Sequence, residues 1–326
     1  MTNTINPHRL PVVSVGECMV ELARGDDARF GLAYGGDTFN AAVYLARAGV
    51  DVSYATALGD DPYSASILGL ARREGVGVGL ITTVAGRTPG LYLIETNTKG
   101  ERTFHYWRDR SPARELFEGP GAEAVVAGMG QAGVVFFSAV TLSLYSDSGL
   151  ACFAQAVQQA RATGVTITMD GNYRPRAWKD RDRAREVIGQ FWALCDLALP
   201  TFDDEAQLWG DTNAAATIAR LRALGVREVA VKLGHDGALV ASNGIPMDVP
   251  APARITPVDT TGAGDSFNAA YLAARMQGQP PETAALAGNR LAGIVIEHRG
   301  AVVPAEATAP ALKPRAAGQP PGARAR

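Results

Sequence analysis

Asp259-Thr-Thr-Gly-Ala-Gly-Asp-Ser-Phe267 joins a glycine-rich turn to an apolar stretch, 268–276, that is typical of a helix. The small residues Gly262, Ala263 and Gly264 let their backbone N–H groups converge on one point. The positive end of the helix that follows would strengthen the attraction of that point for negative charge. The stretch therefore predicts an anion hole that suits a phosphate group.

Asp265 lies beside this hole, in the first turn of the predicted helix. A carboxylate in that place could orient a hydroxyl group and accept its proton. We expect the helix N-terminus to lower the pKa of Asp265 and leave it a weak base. A weak base is sufficient if the transition state of phosphoryl transfer is loose and the hydroxyl group loses its proton late. The residues alone leave a second interpretation open, a glycine-rich turn in which Asp265 only caps the helix.

A second motif lies near the start of the chain, Gly35-Gly-Asp-Thr-Phe-Asn-Ala-Ala-Val-Tyr-Leu-Ala-Arg-Ala-Gly49. Its glycine pair stands at a predicted helix start, where a ligand could approach the backbone closely. Asp37 and Asn40 could then form hydrogen bonds with sugar hydroxyls. Taken alone, the motif favours an ordinary capped helix.

Around these motifs the sequence alternates between short apolar strands and amphipathic helices. This order predicts a doubly wound α/β fold, with a mostly parallel sheet and helices on both faces. Ligands of such sheets bind outside the carboxyl ends of the strands. Two β-rich runs, 91–95 and 102–107, interrupt the alternation and predict an antiparallel hairpin.

Composition excludes several classes of protein. The 326 residues carry a net charge of −2, which gives no basic footprint for nucleic acid. No run of about 18 apolar residues could span a membrane. The three cysteines are scattered, which favours reduced thiols in the cytoplasm over a disulfide framework. The Gly-x-Gly-x-x-Gly run at 128–133 precedes a strand instead of following one, so a helix end is favoured over a nicotinamide-binding loop.

Together the two motifs resemble the ribokinase-like (phosphofructokinase-B type) sugar kinases, over about residues 12–304. The segment 231–240 is similar to the part of that family that faces the nucleotide. Within the family, the resemblance is closest to the kinases of the sugar acid 2-keto-3-deoxygluconate. The stretches that carry it are Gly16-Glu-Cys-Met19, Pro89-Gly-Leu-Tyr92, Gly100-Glu-Arg-Thr-Phe-His-Tyr-Trp-Arg108, Asn172-Tyr-Arg-Pro175, Asp203-Asp-Glu205 and Glu297-His-Arg-Gly-Ala301.

The resemblance implies an α/β core formed by 12–16, 35–88 and 112–304, and a β lid formed by 17–34 and 89–111. Residues 1–11 would be an N-terminal arm. Residues 305–326 are rich in Ala, Pro and Gly, which predicts a disordered tail. Because lids of this kind pair between subunits in the family, the resemblance also implies a homo-oligomer, a dimer or higher.

The implied reaction uses ATP and Mg²⁺ and moves the γ-phosphoryl group to the 6-hydroxyl of the keto-acid. Asp265 would be the base and residues 262–264 the anion hole. The residues implied for the sugar acid are Gly35, Gly36, Asp37, Asn40, Tyr92, Tyr106, Arg108 and Arg174. Those implied for the nucleotide are Asn172, Arg174, Lys232, Gly234, Gly237, Gly262, Gly264 and, near the adenine, Asn289.

One departure from the family concerns the metal. Many members have Asn-x-x-Glu near the phosphates, whereas this chain has Thr201 and Asp204 at those places. Asp204 and Glu205 are therefore expected to serve Mg²⁺ through water. The resemblance also implies a monovalent cation, K⁺, held by the loop of Asp259 and Thr261 mainly through backbone oxygens.

Three alternatives stay open at this point. A related kinase could act on 2-keto-3-deoxygalactonate or on a neutral sugar such as fructose or ribose. Arg108 and Arg174 argue against a neutral sugar, because arginine suits a carboxylate; their plainer interpretation is pairing with Asp109 and Asp170. A nucleotide-binding protein without activity is opposed by the presence of Asp265. A nicotinamide dehydrogenase is opposed by the position of 128–133.

Overall fold

The computed structural model describes residues 11–24, 29–96, 102–242, 244–252 and 254–312. The predicted arm is outside this part of the chain, apart from Pro11. The strands are β1 (Val12–Val15), β2 (Met19–Arg24), β3 (Phe30–Gly35), β4 (Val52–Leu58), β5 (Ile81–Thr83), β6 (Leu91–Thr96), β7 (Arg102–Trp107), β8 (Val134–Ser138), β9 (Thr166–Asp170), β10 (Leu197–Ala198), β11 (Glu228–Lys232), β12 (Ala238–Ala241) and β13 (Met247–Val249).

The helices follow the predicted alternation with the strands. They are α1 (Asp37–Arg47), α2 (Pro62–Arg73), α3 (Ala122–Gln131), α4 (Ala139–Leu142), α5 (Asp147–Ala162), α6 (Arg181–Trp192), α7 (Phe202–Trp209), α8 (Ala214–Ala223), α9 (Ala263–Met276), α10 (Pro281–Val295) and α11 (Ala305–Leu312). Among the described residues, no helix has the length and apolar character needed to cross a membrane.

A nine-stranded sheet forms the centre, in the order β13-β12-β11-β10-β9-β8-β1-β4-β5. The strands from β11 to β5 are parallel, and only β12 and β13 run antiparallel to their neighbours. Its strands are apolar on both sides, as in β8, where all five residues are buried. One core cluster contains side chains of α5, α6 and α8, and another contains side chains of α1, α9 and α10. This confirms the predicted α/β class.

A second, four-stranded sheet is separate from the first and has the order β3-β2-β6-β7. The predicted hairpin is confirmed, since β6 and β7 pair antiparallel from Leu91–Trp107 onward. Residues 97–101, which join these strands, are outside the described residues. A small apolar cluster of Met19, Tyr92 and Ile94 holds the sheet together. The role of this sheet as a lid stays a prediction.

Local sequence explains several element ends. Asp61 caps α2 and accepts hydrogen bonds from the backbone N–H groups of Tyr63 and Ser64, with Pro62 in the first turn. The Gly-x-Gly-x-x-Gly run begins inside α3 and ends just before β8, as predicted.

One prediction of local structure is wrong. The first part of the predicted disordered tail is helical, because α11 buries Thr308 and packs Ala307, Ala311 and Leu312 against the core. Residues 313–326 are outside the described part.

Candidate active site

A cavity of about 1350 Å³ opens at the carboxyl ends of the parallel strands. It lies beside β1, where the strand order reverses, which is the usual ligand position in such sheets. Most of the predicted site residues line this one cavity. They are Gly36, Asp37, Asn40, Tyr92, Tyr106, Arg108, Asn172, Arg174, Asp204, Lys232, Asp259, Thr261, Gly262, Gly264 and Asp265.

The predicted anion hole lies at the N-terminus of α9. Gly262 caps the helix in the left-handed conformation, with φ of 77°. A Cβ on this residue would also lie 2.6 Å from the carbonyl oxygen of Ala301, so only glycine fits. Ala263 begins the helix and donates its backbone N–H to the carbonyl oxygen of Thr260 at 3.3 Å. Gly262, Gly264 and Asp265 line the cavity, so the N-terminus of α9 borders it.

Asp265 faces the same space, and the side-chain amide of Asn40 donates a hydrogen bond to its Oδ2 at 2.8 Å. The expectation that the helix lowers the pKa of Asp265 is wrong. Burial raises this pKa to about 7, and the nearby negative charge of Asp37 adds to the rise. These two effects exceed the stabilisation of the carboxylate by the helix end and by Asn40. Asp265 is therefore a stronger base than predicted.

The raised pKa has a consequence for pH dependence. A base must be ionised to accept a proton, so we expect kcat/KM to fall about tenfold per pH unit below about 7. Asp37→Asn removes the like charge and should move this fall to lower pH. Initial rates between pH 5 and 9 measure both profiles. A natural-chain rate that stays constant from pH 7 to pH 5 contradicts the role of Asp265.

The second motif closes the site from the other side. Asp37 begins α1, and its Oδ2 accepts a hydrogen bond of 2.6 Å from the side-chain amide of Asn172. Gly36 is required by close approach, because a Cβ there would lie 1.9 Å from the carbonyl oxygen of Glu17. Asn172 has φ of 24°, an unusual value for a residue other than glycine. The hydrogen bond to Asp37 holds the side chain of Asn172 in place.

Lys232 ends β11, and its ammonium group donates to Asp170 Oδ1 and to Asn268 Oδ1, each at 2.9 Å. Neither partner was among the predicted site residues. Asp170 is the last residue of β9, and Asn268 lies three residues after Asp265 on α9. A buried carboxylate at the carboxyl end of an apolar strand, and a polar residue one turn from the base, were the available indications.

The two arginines that were predicted to bind the substrate carboxylate pair with residues other than Asp109 and Asp170. Arg108 pairs with buried Glu17 at 2.5 Å, and Arg174, which is half exposed, contacts Asp204 at 3.4 Å. Burial raises the pKa of the Tyr106 phenol, and the positive charges of both arginines oppose that rise. Both guanidinium groups are therefore close enough to act on the Tyr106 phenol, which also lines the cavity.

Some predicted residues are not brought into the cavity wall. Gly35 lies under the Tyr92 hydroxyl, which in turn bonds Glu21. Gly234 and Gly237 form the turn between β11 and β12. Asn289 donates to the carbonyl oxygens of Val249 and Pro250. The assignment of the last three to the nucleotide stays a prediction.

Glu205 points away from the cavity and pairs with Arg220 at 2.6 Å. α7 turns its side chain inward, and burial raises its pKa to about 7. It is therefore part of a structural ion pair, whereas Asp204 faces the cavity.

Asp259 accepts from the backbone N–H groups of Thr261 and Gly300 and so joins two loops. Among the described residues, no group of three or more acidic, His or Cys side chains is placed to hold a metal.

Comparison with known proteins adds to this geometry. Residues 10–308 match the family described as pfkB family carbohydrate kinase. The 2-dehydro-3-deoxygluconokinase of Dickeya dadantii is 38% identical over 305 residues, which are 91% of this chain and 97% of that protein. The crystal structure of 2-dehydro-3-deoxygluconokinase from Thermotoga maritima has a TM-score of 0.80 and 25% identity, covering 90% of this chain and 96% of that one.

A putative ribokinase II from E. coli, solved in complex with ATP and Mg²⁺, has the same fold. Its TM-score is 0.79 at 22% identity, covering 90% of this chain and 94% of that one.

Proposed function

The chain belongs to the pfkB family of carbohydrate kinases, and on that basis we propose that it transfers the γ-phosphoryl group of ATP to the 6-hydroxyl of 2-dehydro-3-deoxygluconate (2-keto-3-deoxygluconate). The products are the 6-phosphate and ADP. One observation carries the choice of a sugar acid. Arg108 and Arg174, from separate segments, line the same cavity as Asp265 and the anion hole. On this proposal, the cavity has one end for a carboxylate, at Arg108 and Arg174, and another for a phosphate, at the N-terminus of α9.

The residues divide the work between these ends. Arg108, Arg174 and Tyr106 would bind the carboxylate, since guanidinium groups bind it with two parallel hydrogen bonds. Asp37 and Asn40 would bind hydroxyls near the middle of the cavity. Asp265 would take the proton of the 6-hydroxyl as the phosphoryl group arrives at residues 262–264. Positioning and electrostatic stabilisation are then the main sources of rate.

ATP and Mg²⁺ are the cofactors that we assign. Mg²⁺ keeps most of its ligands as water and phosphate oxygens and needs only one or two protein carboxylates. Asp204 fits that part, because it faces the cavity and its only ion-pair contact among the described residues is Arg174 at 3.4 Å. Burial raises the pKa of Asp204, so a cation beside it would favour the ionised form. Bound Mg²⁺ would neutralise phosphate charge.

A monovalent cation is a further part of the proposal. The loop of Asp259 and Thr261 lines the cavity next to Gly262. The carboxylate of Asp259 fixes that loop against Gly300. We assign K⁺ to the backbone oxygens of this loop, where it would support the geometry of the anion hole.

The deciding experiment is a coupled ADP-release assay with ATP and Mg²⁺ over a panel of acceptors. We expect 2-keto-3-deoxygluconate to give the highest kcat/KM, and fructose and ribose to give values lower by at least tenfold. 2-Keto-3-deoxygalactonate belongs in the panel, because it has the same carboxylate and differs at one carbon. A preference for a neutral sugar would overturn the proposal, and no turnover with any acceptor would favour a binding protein.

The small sheet is the proposed contact between subunits. Its edge strand β3 exposes Phe30 (46%) and Leu32 (53%), and β7 exposes Trp107 (60%). Exposed apolar side chains on a sheet favour pairing with a second copy. We assign the chain to the cytoplasm as a dimer or higher oligomer, with small molecules as its other partners and neither nucleic acid nor membrane among them. Sedimentation of the whole chain measures the oligomeric state.

A further inference from the structure

Lys232 has a donor that its neighbours leave unused. The side chain is only 8% exposed, yet it lines the cavity. A lysine ammonium has three N–H donors. Asp170 and Asn268 accept two of them, and no other acceptor among the described residues contacts the third. The third donor is therefore available to a ligand in the cavity that Lys232 lines.

The two partners fix the ammonium group in one place. Asp170 Oδ1 accepts from Lys232 Nζ, and Asp170 Oδ2 accepts from the side-chain amide of Asn268 at 2.7 Å. Asn268 Oδ1 accepts from Lys232, which closes a ring of three hydrogen bonds. All three residues are buried, and they come from β11, β9 and α9. Such a closed, buried network holds its members rigidly.

The position of the ammonium relative to the anion hole is the second observation. A Cβ placed on Gly264 would lie 3.7 Å from Lys232 Nζ. The ammonium is therefore next to the backbone that forms the hole, on the side of the cavity that also contains Asp265. Because Gly264 has no side chain, nothing from this residue separates the ammonium from an anion in the hole.

We propose that Lys232 is a further catalytic residue, whose third N–H binds an oxygen of the phosphoryl group during its transfer, and that Asp170 and Asn268 are positioning residues that aim it. This inference rests on the proposed kinase function. In the step, the bond from the γ-phosphorus to the bridging oxygen of ATP breaks and ADP leaves. The bond from phosphorus to the sugar 6-oxygen forms, and the hydroxyl proton goes to Asp265. Lys232 keeps its protons throughout.

The competing explanation is a structural ion pair that only neutralises Asp170. The two explanations predict different activities for a variant in which both charges are removed. Breaking a buried pair from one side leaves an uncompensated charge and lowers stability, whereas removing both charges is often neutral. A structural lysine therefore becomes dispensable once Asp170 is neutral, and a catalytic lysine does not.

The experiment compares Lys232→Met with the double variant Lys232→Met/Asp170→Asn. We expect the single variant to melt below the natural chain and the double variant to regain most of that loss. In both, kcat should fall by about 10²–10³-fold, the effect of removing one preorganised donor to a developing charge. KM for ATP and for the acceptor should stay within about threefold, because the donor acts mainly in the transition state.

Two results would overturn the proposal. A double variant that regains kcat to within tenfold of the natural chain assigns Lys232 a structural role. A rise in KM for ATP with unchanged kcat assigns it to ground-state nucleotide binding. Because Lys232 lies at the phosphate end, the fold loss should be the same for every accepted sugar. If the proposed acceptor is wrong, the natural chain itself will show little activity on 2-keto-3-deoxygluconate. If the proposal about Lys232 is wrong, the natural chain stays active, and only the ratio of the variant's kcat to that of the natural chain departs from the expected value.

Discussion

The Asp265→Asn variant is expected to lose about 10²–10⁴-fold in kcat, the usual contribution of a positioned acid–base group. The carboxylate lies in the first turn of α9, beside the backbone N–H groups of the anion hole. Asn40 holds its Oδ2 at 2.8 Å and so fixes its orientation. Asparagine keeps the size and the hydrogen bond but cannot accept a proton. Initial rates at saturating ATP and acceptor measure the loss.

Stability and nucleotide binding provide the controls for this variant. The folded state raises the pKa of Asp265 to about 7, above the unfolded value, so the folded chain binds this proton more tightly. The stability that this proton provides is therefore lost as the pH rises from the unfolded value of 3.8 to about 7, and the loss stays constant above about pH 7. We expect Asp265→Asn to be at least as stable as the natural chain at pH 8 and to bind ATP normally.

A matched substitution separates the role of Asp265 from a general effect of charge. Asp51 is exposed and precedes β4, so it lies at the amino ends of the parallel strands, whereas the cavity lies at their carboxyl ends. Asp51→Asn makes the same chemical change and should leave kcat within twofold. Turnover near that of the natural chain in Asp265→Asn would remove Asp265 from the mechanism, whereas a loss that accompanies a lower melting temperature would point to misfolding.

The parts of the fold that local sequence encodes were predictable. The strand and helix alternation, the hairpin of β6 and β7, and the capped start of α2 all follow from patterns a few residues long. The anion hole was predictable for the same reason, since its glycines and Asp265 are contiguous. The tail was not, because an Ala-rich segment is compatible with both disorder and helix. Contact of Leu312 with the core, a tertiary effect, favours the helix.

The electrostatics of the site could not be predicted from local patterns. The helix end suggested a lowered pKa for Asp265, whereas burial and Asp37, which is far away in sequence, raise it. The partners of Lys232 come from two other elements, and Glu17, between β1 and β2, pairs with Arg108, which follows β7. Each of these contacts depends on which strand ends the fold places together. The sequence identified the cavity residues but not their pairing.

That pairing determines how the carboxylate end should be tested. Arg108 is bound to Glu17, which is almost fully buried, so removal of Arg108 alone leaves an unpaired buried charge. The double variant Glu17→Gln/Arg108→Met avoids that cost. Arg174 is 53% exposed and contacts Asp204 only at 3.4 Å, so Arg174→Met should leave stability nearly unchanged. We therefore expect both of these variants to keep the fold.

Loss of either arginine is expected to lower kcat/KM for 2-keto-3-deoxygluconate by about 10- to 150-fold. A hydrogen bond to a charged group contributes roughly 1.5–3 kcal/mol, and about 1.4 kcal/mol corresponds to tenfold. The loss should appear mainly in KM, because the carboxylate takes no part in the bond changes and is bound equally in ground and transition states. Parallel rates on fructose or ribose should change by less than twofold, since neutral sugars offer these arginines no charge. An equal loss on acid and neutral acceptors would show that the arginines do not bind a carboxylate, and the choice of a sugar acid would lose its physical support.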